Sequence, residues 1–200
     1  MEKNDGSTGE RQRVAQLQLF HQPRQGKKLL VLDIDKTIYD CTCSNIYRRT
    51  RPYLHQLLEE SFKYYDICLW SLTDMNTVKF KVNTMNIGNS SDFKILFYMD
   101  ATFSEMVMKQ KPIITKPLSK IWNVLDQYGP TNTIICDDNP DNLVQNPKNG
   151  ILVAPYYFKN FSTDKELQYL QNYLKYLSEA EDVRKVDHKK WKEIEMKLRK

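Results

Sequence analysis

Two aspartates separated by one residue end an apolar run near the start of the chain, in the segment Asp33-Ile34-Asp35-Lys36-Thr37. Two carboxylates at the end of a buried strand cost free energy unless positive charge compensates them. A divalent cation would do so, and Mg²⁺ prefers hard oxygen ligands of this kind. The simpler alternative is a turn that the two aspartates cap, which is common chemistry after a strand. The pair alone leaves both interpretations open.

Further polar side chains follow other predicted strands or precede a predicted helix. They are Asp137 and Asp138 after the run Thr133 to Cys136, Ser71 and Thr73 after Trp70, and Lys116 before Pro117. The carboxyl ends of parallel strands meet at one edge of a sheet, and a cation beside a helix N-terminus suits an anion. Simpler alternatives exist: Ser71 or Thr73 as a helix cap, and Lys116 as a solvated charge. Their joint occurrence predicts a site for a dianionic phosphoryl group.

Strand-like apolar runs alternate with helical patterns along the chain. Strands are predicted at Lys28 to Ile34, Asp66 to Trp70, Phe93 to Met99, Thr133 to Cys136 and Gly150 to Val153. Helices are predicted from Pro52 to Phe62, after a cap at Asp74, from Pro117 to near Gly129, after a capping box of Thr163 and Glu166, and over Val183 to Leu198. This alternation predicts a three-layer α/β/α fold with a central, mainly parallel sheet and a helical C-terminus.

The domain organisation follows from composition. Residues 1–26 are polar and lack sustained periodicity, which predicts a mobile N-terminal arm before one domain over residues 27–200. With 200 residues, 40% of them hydrophobic, the chain has enough apolar material for one core. The segment from Asp100 to Thr115 has room for a small insertion but not for a large cap over the site. An open site of this kind favours a peptide over a metabolite.

The formal net charge of +5 raises the question of nucleic-acid binding. The basic excess lies at the two ends, with a net charge of +3 over residues 1–28 and +3 over residues 181–200, whereas residues 29–180 carry −1. A basic patch on the catalytic body is therefore not predicted, and we expect no direct nucleic-acid binding.

Membrane insertion and structural metal or disulfide bonding are also not expected. No apolar run is long enough to span a bilayer, and the polar start is not a secretory signal. Cys41 and Cys43 form a Cys-x-Cys pair without a second pair at zinc-finger spacing, and Cys68 and Cys136 lie in apolar runs. These features favour a reducing cytosolic or nuclear compartment.

The ordered set Asp33-x-Asp35-x-Thr37, Ser71, Lys116 and Asp137-Asp138 resembles the four motifs of haloacid dehalogenase-type phosphatases. Arg51-Pro52 and the Trp-Ser-x-Thr form of the second motif resemble the FCP/SCP branch, which acts on the C-terminal domain (CTD) of RNA polymerase II. The likeness covers about residues 23 to 195. Lys36 departs from the pattern, since relatives usually carry an aromatic or acidic residue there, so substrate preference or rate is expected to differ.

The resemblance implies a Mg²⁺-dependent protein serine/threonine phosphatase that acts through an aspartyl-phosphate. Asp33 would be the nucleophile and Asp35 the general acid and base. Ser71, Thr73 and Lys116 would contact the substrate phosphate, with Lys116 also restraining Asp33. Asp33, the backbone carbonyl of Asp35 and Asp138 would hold Mg²⁺, with Asp137 in or next to that shell.

The resemblance further implies a phosphoprotein substrate such as the RNA polymerase II CTD or a proteasome-related phosphoprotein, and a nuclear location, with the cytoplasm as the alternative. Relatives with a ubiquitin-like module use it to dock on the proteasome. About 25 residues precede the first strand, too few for such a module, so we expect no proteasome docking. Two other functions stay open: a small-molecule phosphatase with the same machinery, and a phosphopeptide-binding protein without turnover.

Overall fold

The computed structural model describes residues 17–199, which form seven strands and five α-helices joined by turns and short 3-10 helices. In chain order they are β1 (Lys28–Asp33), α1 (Leu54–Phe62), β2 (Tyr65–Trp70), α2 (Met75–Thr84), β3 (Ile95–Met99), β4 (Glu105–Val107), β5 (Ile113–Thr115), α3 (Ser119–Trp122), β6 (Thr133–Asp137), β7 (Gly150–Leu152), α4 (Glu166–Ser178) and α5 (Trp191–Leu198).

Five of the strands form one sheet in the order β3-β2-β1-β6-β7, and every neighbouring pair is parallel. The chain moves from β1 outward to β3 on one side and then crosses to β6 and β7 on the other. The strand order therefore switches direction at β1. In open α/β sheets a crevice forms at such a point, outside the carboxyl ends of the strands.

Strand β1 is buried on both faces, which explains its unbroken apolar run. Leu30 and Leu32 face one hydrophobic core, which α1, α2, α4 and α5 cover. Leu29 and Val31 face a second core, which contains Ile121 of α3. The predicted three-layer α/β fold with a helical C-terminus is thus confirmed.

The small insertion predicted in place of a large cap is a two-stranded antiparallel hairpin. Strands β4 and β5 pair with Glu105 opposite Thr115, and the hairpin ends one residue before Lys116. The hairpin strands have three residues each, too few to show a sequence alternation.

Four predicted helix boundaries are wrong. Helix α1 begins at Leu54 and not at Pro52, because Tyr53 between them has left-handed backbone with a φ of 65°. Helix α3 is a single turn rather than a helix to Gly129. Thr163 does not cap α4: its hydroxyl donates to the carbonyl of Asn160, and Asp164 Oδ1 accepts from the N–H of Glu166.

The last helix begins at Trp191 and not at Val183. Two short 3-10 turns precede it because the carboxylates of Asp182 and Asp187 each accept a backbone N–H two residues on.

The predicted arm of residues 1–26 lies partly outside the described residues. Of the part that the structure describes, Leu17 and Leu19 pack against the second core, and the N–H of Phe20 donates to the carbonyl of Leu96 on the edge strand β3 at 2.9 Å. Arg24 forms an ion pair with the buried Asp66 at 2.7 Å. Residues 17–26 therefore lie against the domain, whereas the division of the chain at residue 26 stays a prediction.

Within residues 17–199, no helix combines the length and the apolar composition that crossing a membrane requires.

A buried arginine joins the loop after β1 to the segment before α4. Arg51 is 2% exposed and donates to the carbonyls of Thr37 and Ala154 at 2.8 and 2.9 Å. Its guanidinium also makes two parallel bonds to Asp164, at 3.1 and 2.8 Å. Bidentate pairs of this kind fix geometry as well as charge.

We expect Arg51→Met to lower the free energy of unfolding by about 3–5 kcal/mol, because it leaves Asp164 and two carbonyls without their buried donor. Urea denaturation measures the change. The exposed Arg48 is the matched control, and Arg48→Met should change stability by less than about 0.5 kcal/mol. Equal effects of the two substitutions would show that the buried pair does not hold this loop.

Candidate active site

Three carboxylates meet at the carboxyl edge of the sheet, at the switch in strand order. Asp33 is the last residue of β1 and Asp137 the last residue of β6, and these strands pair directly, with Leu32 opposite Cys136. One carboxylate oxygen from each of Asp33, Asp137 and Asp138 lies within 4.8 Å of the others. The residues that the sequence predicted as acidic ligands are therefore brought together, except that Asp35 lies outside this cluster.

A fully buried lysine stands between two of these carboxylates. The ammonium group of Lys116 donates to Asp33 Oδ1, to Asp137 Oδ2 at 2.8 Å and to the carbonyl of Trp70 at 2.9 Å. Burial alone would lower the pKa of Lys116, but the two carboxylates raise it, so the side chain stays charged. All three ammonium protons have acceptors.

The loop after β6 holds Lys116 in place. The N–H of Lys116 donates to the carbonyl of Asn142 at 3.1 Å, and its carbonyl accepts from Asn146 Nδ2 at 2.7 Å. The sequence predicted that a helix starting at Pro117 would add the positive charge of its N-terminus beside Lys116. This prediction is wrong, because α3 begins at Ser119 and has only four residues. The positive charge at this position is the Lys116 ammonium itself, which carboxylates balance.

The carboxylate of Asp137 is saturated by donors. Its Oδ1 accepts from the N–H of Asn139 and from Asn142 Nδ2, both at 2.9 Å, and its Oδ2 accepts from Lys116 and, at 3.0 Å, from Asn142. Asp137 therefore orients Lys116 and has little capacity left for a further ligand.

The oxygens of Asp33 and Asp138 are less satisfied. Asp33 Oδ2 is buried without a hydrogen-bond partner among the described residues. Burial, and then the nearby Asp137 carboxylate, raise the pKa of Asp33 despite the opposing effect of Lys116, and the same two causes raise the pKa of Asp138. Lys116 donates to Asp33 and Asp137 but not to Asp138, so its single charge does not balance the three carboxylates. Asp33 and Asp138 are therefore the side chains here that could hold a divalent cation.

Asp35 is anchored by a residue that the sequence analysis did not identify. Its Oδ2 accepts from Ser71 Oγ at 2.9 Å and from Lys81 Nζ at 2.5 Å, while its Oδ1 is buried without a described partner. Lys81 comes from α2 and is 5% exposed. Lys81 comes three residues after Val78, which places it on the apolar face of α2. A lysine on the apolar face of a helix indicates a buried side chain that is paired with an acid.

The predicted phosphate ligands do not line the pocket. The pocket has a volume of about 410 Å³ and is lined by Asp33, Asp35, Lys36, Leu72, Asp138, Asn139, Pro140 and Asn142. Ser71 donates to Asp35, with Thr73 Oγ1 2.9 Å from the Ser71 hydroxyl, and Lys116 donates to the carboxylates. Contacts of Ser71, Thr73 and Lys116 with a substrate phosphate stay predictions.

The turn that carries Asp35 into the pocket passes through Lys36, which has a φ of 60°. Left-handed backbone is unusual for a residue with a side chain and costs about 1–2 kcal/mol. Two bonds hold it: the N–H of Lys36 donates to the carbonyl of Tyr39 at 2.7 Å, and its carbonyl accepts from the N–H of Tyr156 at 2.6 Å. Thr37 Oγ1 then accepts from the N–H of Asp138 at 3.1 Å, which joins the loops after β1 and β6.

Comparison with known proteins identifies relatives of the chain. The family model of NLI interacting factor-like phosphatases matches residues 28–184. The chain is 37% identical over 176 residues to ubiquitin-like domain-containing CTD phosphatase 1 of Drosophila melanogaster, which covers 84% of this chain and 55% of the relative. The human protein of that name is 35% identical over 185 residues, with 88% and 57% covered. The chain thus spans little more than half the length of these relatives.

Two solved structures share the fold. The fission yeast RNA polymerase II CTD phosphatase Fcp1 bound to beryllium fluoride aligns with a TM-score of 0.50 and 16% identity, covering 87% of this chain and 62% of that one. A second structure of Fcp1 aligns with a TM-score of 0.51 and 15% identity, over the same shares. At this identity the likeness concerns the fold alone, and it supports the haloacid dehalogenase-like architecture.

We expect Lys116→Met to lower the free energy of unfolding by about 3–5 kcal/mol, because two buried carboxylates lose their shared cation. Adding Asp137→Asn in the same chain should restore part of that loss, with a coupling of about 1–3 kcal/mol between the two sites. Chemical denaturation of the single and double variants measures both quantities.

The matched control is Lys120→Met, since Lys120 pairs with Glu105 at the surface. An exposed pair of this kind contributes about 0–1 kcal/mol. A Lys116→Met variant as stable as Lys120→Met would mean that the buried ion pairs do not stabilise the site.

Proposed function

The chain belongs to the family of NLI interacting factor-like phosphatases, and we propose that it hydrolyses phosphoserine and phosphothreonine in proteins, with Mg²⁺ and through an aspartyl-phosphate on Asp33. The observation that carries this proposal is the state of Asp33 at the end of the central strand. Lys116 holds its Oδ1, its Oδ2 has no partner, and the side chain lines the pocket beside Asp35. A restrained carboxylate with one oxygen free of hydrogen bonds suits a nucleophile.

In the first step the Asp33 carboxylate attacks the phosphorus of the phosphorylated residue. A bond forms between a carboxylate oxygen and phosphorus, and the bond from phosphorus to the serine or threonine oxygen breaks. Asp35 acts as the general acid and gives a proton to the leaving oxygen. Lys116 restrains Asp33, so that little reorganisation is needed when the bond forms.

In the second step Asp35 acts as a base. It takes a proton from water as the water oxygen bonds to phosphorus, and the Asp33 carboxylate leaves, so inorganic phosphate and the free enzyme are regenerated. Ser71 and Lys81 hold Asp35 by Oδ2, which leaves Oδ1 for both proton transfers. One restrained carboxyl group therefore serves both steps.

The residues present fit a divalent cation. Asp33, Asp138 and the backbone carbonyl of Asp35 would hold Mg²⁺, next to an Asp137 that is engaged with Lys116 and Asn142. When bound, Mg²⁺ supplies positive charge that screens the carboxylates from the phosphate and stabilises the charge in transfer. The close approach of the Asp33, Asp137 and Asp138 carboxylates, which lie within 4.8 Å of one another, and the raised pKa values of Asp33 and Asp138 support this assignment.

The proposed substrates are phosphopeptide segments rather than small metabolites. The β4–β5 hairpin is the only insertion between β3 and Lys116, and it is too short to close over the pocket. The matched relatives are named as CTD phosphatases, which supports RNA polymerase II CTD-like phosphopeptides as the substrate class, with proteasome-related phosphoproteins as a further class. Action on the polymerase would place the protein in the nucleus.

We expect Asp33→Asn to abolish hydrolysis of a phosphoserine peptide, by about a thousandfold or more, because the amide is not a nucleophile. The assay compares a phosphoserine peptide, a sugar phosphate and an aryl phosphate, each with and without Mg²⁺. The wild-type protein should act on the peptide and the aryl phosphate only with Mg²⁺, and poorly on the sugar phosphate.

The thermal midpoint and circular dichroism of Asp33→Asn control for folding. The exposed Asp126 gives a matched amide control, since Asp126→Asn should retain full activity. Full activity in Asp33→Asn would remove the covalent mechanism, and a preference for the sugar phosphate would identify a small-molecule phosphatase.

We expect Mg²⁺ alone to raise the thermal midpoint of the wild-type protein, because a ligand that binds only the folded state adds about 2.7 kcal/mol at a hundredfold excess over its Kd. Asp138→Asn should remove most of this shift, whereas Asp126→Asn should keep it. Differential scanning calorimetry with a Mg²⁺ titration measures the effect. An equal shift in Asp138→Asn and wild type would place the cation elsewhere.

A further inference from the structure

A groove of about 510 Å³ lies beside the active-site pocket, and Pro140 lines both. One wall is the turn after β6, with Leu143 and Val144, and the other is the start of α5, with Trp191. Leu152 of the edge strand β7 also lines the groove. Through Pro140 the groove adjoins the pocket in which the phosphorylated residue is proposed to react.

The apolar part of the groove is fixed by the fold. Trp191 is 3% exposed, and its indole N–H donates to the carbonyl of Leu152 at 3.0 Å, which holds the start of α5 against the edge of the sheet. The side chain of Leu152 is 47% exposed on the same strand. A preformed apolar surface of this size can accept one or two aliphatic side chains at little ordering cost.

The rim of the groove is basic. Lys189, Lys190 and Lys192 line it with a single acid, Glu193. A second hollow of about 250 Å³ shares Pro147, His188 and Lys189 with the groove and adds Lys148, Arg184, Lys185 and one acid, Asp187. Among the ion pairs between described residues, Lys192 pairs with Glu166 and Arg184 with Asp182, whereas Lys189 and Lys190 have no acidic partner.

We propose that this groove binds an acidic segment of the phosphoprotein substrate next to the phosphorylated residue. An aliphatic side chain of the segment packs on Leu152 and Val144, and its carboxylates or a second phosphate contact Lys189 and Lys190. The inference rests on the proposed function and deepens it, since it names acidic or multiply phosphorylated sequences as the preferred substrates.

The charge distribution supplies the physical reason. The pocket is lined by three carboxylates, of Asp33, Asp35 and Asp138, and by one lysine, Lys36, so before Mg²⁺ binds, its side chains oppose the approach of an anionic peptide. A neighbouring surface with unpaired lysines offsets that repulsion and steers the peptide toward the pocket. The aliphatic contact then fixes the register, because ionic contacts at an exposed rim are weakly directional.

The test uses three peptides that share one phosphoserine: one with neutral flanks, one with acidic residues and a leucine on the N-terminal side, and one with them on the C-terminal side. We compare the wild-type protein, the double variant Lys189→Glu/Lys190→Glu, and the control Lys175→Glu/Lys197→Glu. The control has the same change in net charge on exposed positions of α4 and α5 outside the groove. Hydrolysis of an aryl phosphate, measured beside them, reports whether the active site itself functions.

One of the two acidic peptides should have a KM about fivefold to tenfold below that of the neutral peptide, and the difference should shrink with salt. The groove variant should lose this preference, and the control should keep it. Equal KM values for all three peptides, or the same loss in the control, would overturn the proposal while the aryl phosphate still turns over.

Fluorescence anisotropy of the peptides with Asp33→Asn separates this proposal from the proposed function, because binding needs no turnover. Tighter binding of one acidic peptide, lost on addition of Lys189→Glu/Lys190→Glu, supports the groove even if hydrolysis fails. Two other results would overturn the proposal. One is groove-dependent binding to vesicles of anionic lipid without a peptide preference. The other is groove-dependent self-association in sedimentation.

Discussion

The ammonium group of Lys116 is the constraint on which the site depends. It contacts the ends of three neighbouring strands, through Asp33 of β1, the carbonyl of Trp70 of β2 and Asp137 of β6. A buried cation needs these acceptors, and the buried carboxylates need the cation, so none of the three strand ends can shift alone. The same ion pairs leave the other oxygen of Asp33 buried without a hydrogen-bond partner among the described residues. Stability of the sheet edge and readiness for chemistry therefore arise from one set of contacts.

Most of this edge could be predicted from the sequence, because long apolar runs mark the strands and polar residues follow directly after them. Features set by tertiary contacts could not. Asp164, and not Thr163, orders the start of α4, since the buried Arg51 fixes its position. Lys81 was missed because a lysine is taken as exposed by default, although its spacing from Val78 placed it on the buried face. Strands β4 and β5 are too short for their sequence to show the alternation of apolar and polar residues that marks a strand.

The two lysines of the site have separate effects. Lys116 is fully buried and restrains Asp33, whereas Lys81 reaches Asp35 from α2 and holds the oxygen that Ser71 also contacts. Asp33 and Asp35 are one residue apart in sequence, yet each is oriented by a different element. The left-handed turn at Lys36 follows Asp35 and is held by Tyr39 and Tyr156. Two adjacent carboxyl groups can therefore have different roles.

The central position of β1 also bears on the order of folding. Its neighbour β2 follows soon after it in the chain, but its other neighbour, β6, pairs Thr133 with Leu29 across a long intervening segment. Contacts between distant parts of a chain form late, because closing a long loop costs entropy before any contact compensates for it. The ion pairs that join Asp33, Lys116 and Asp137 therefore form only after most of the domain has been synthesised. Until β6 pairs with β1, the carboxylate of Asp33 lacks the cation that balances it, so this strand end is stabilised only in the complete domain.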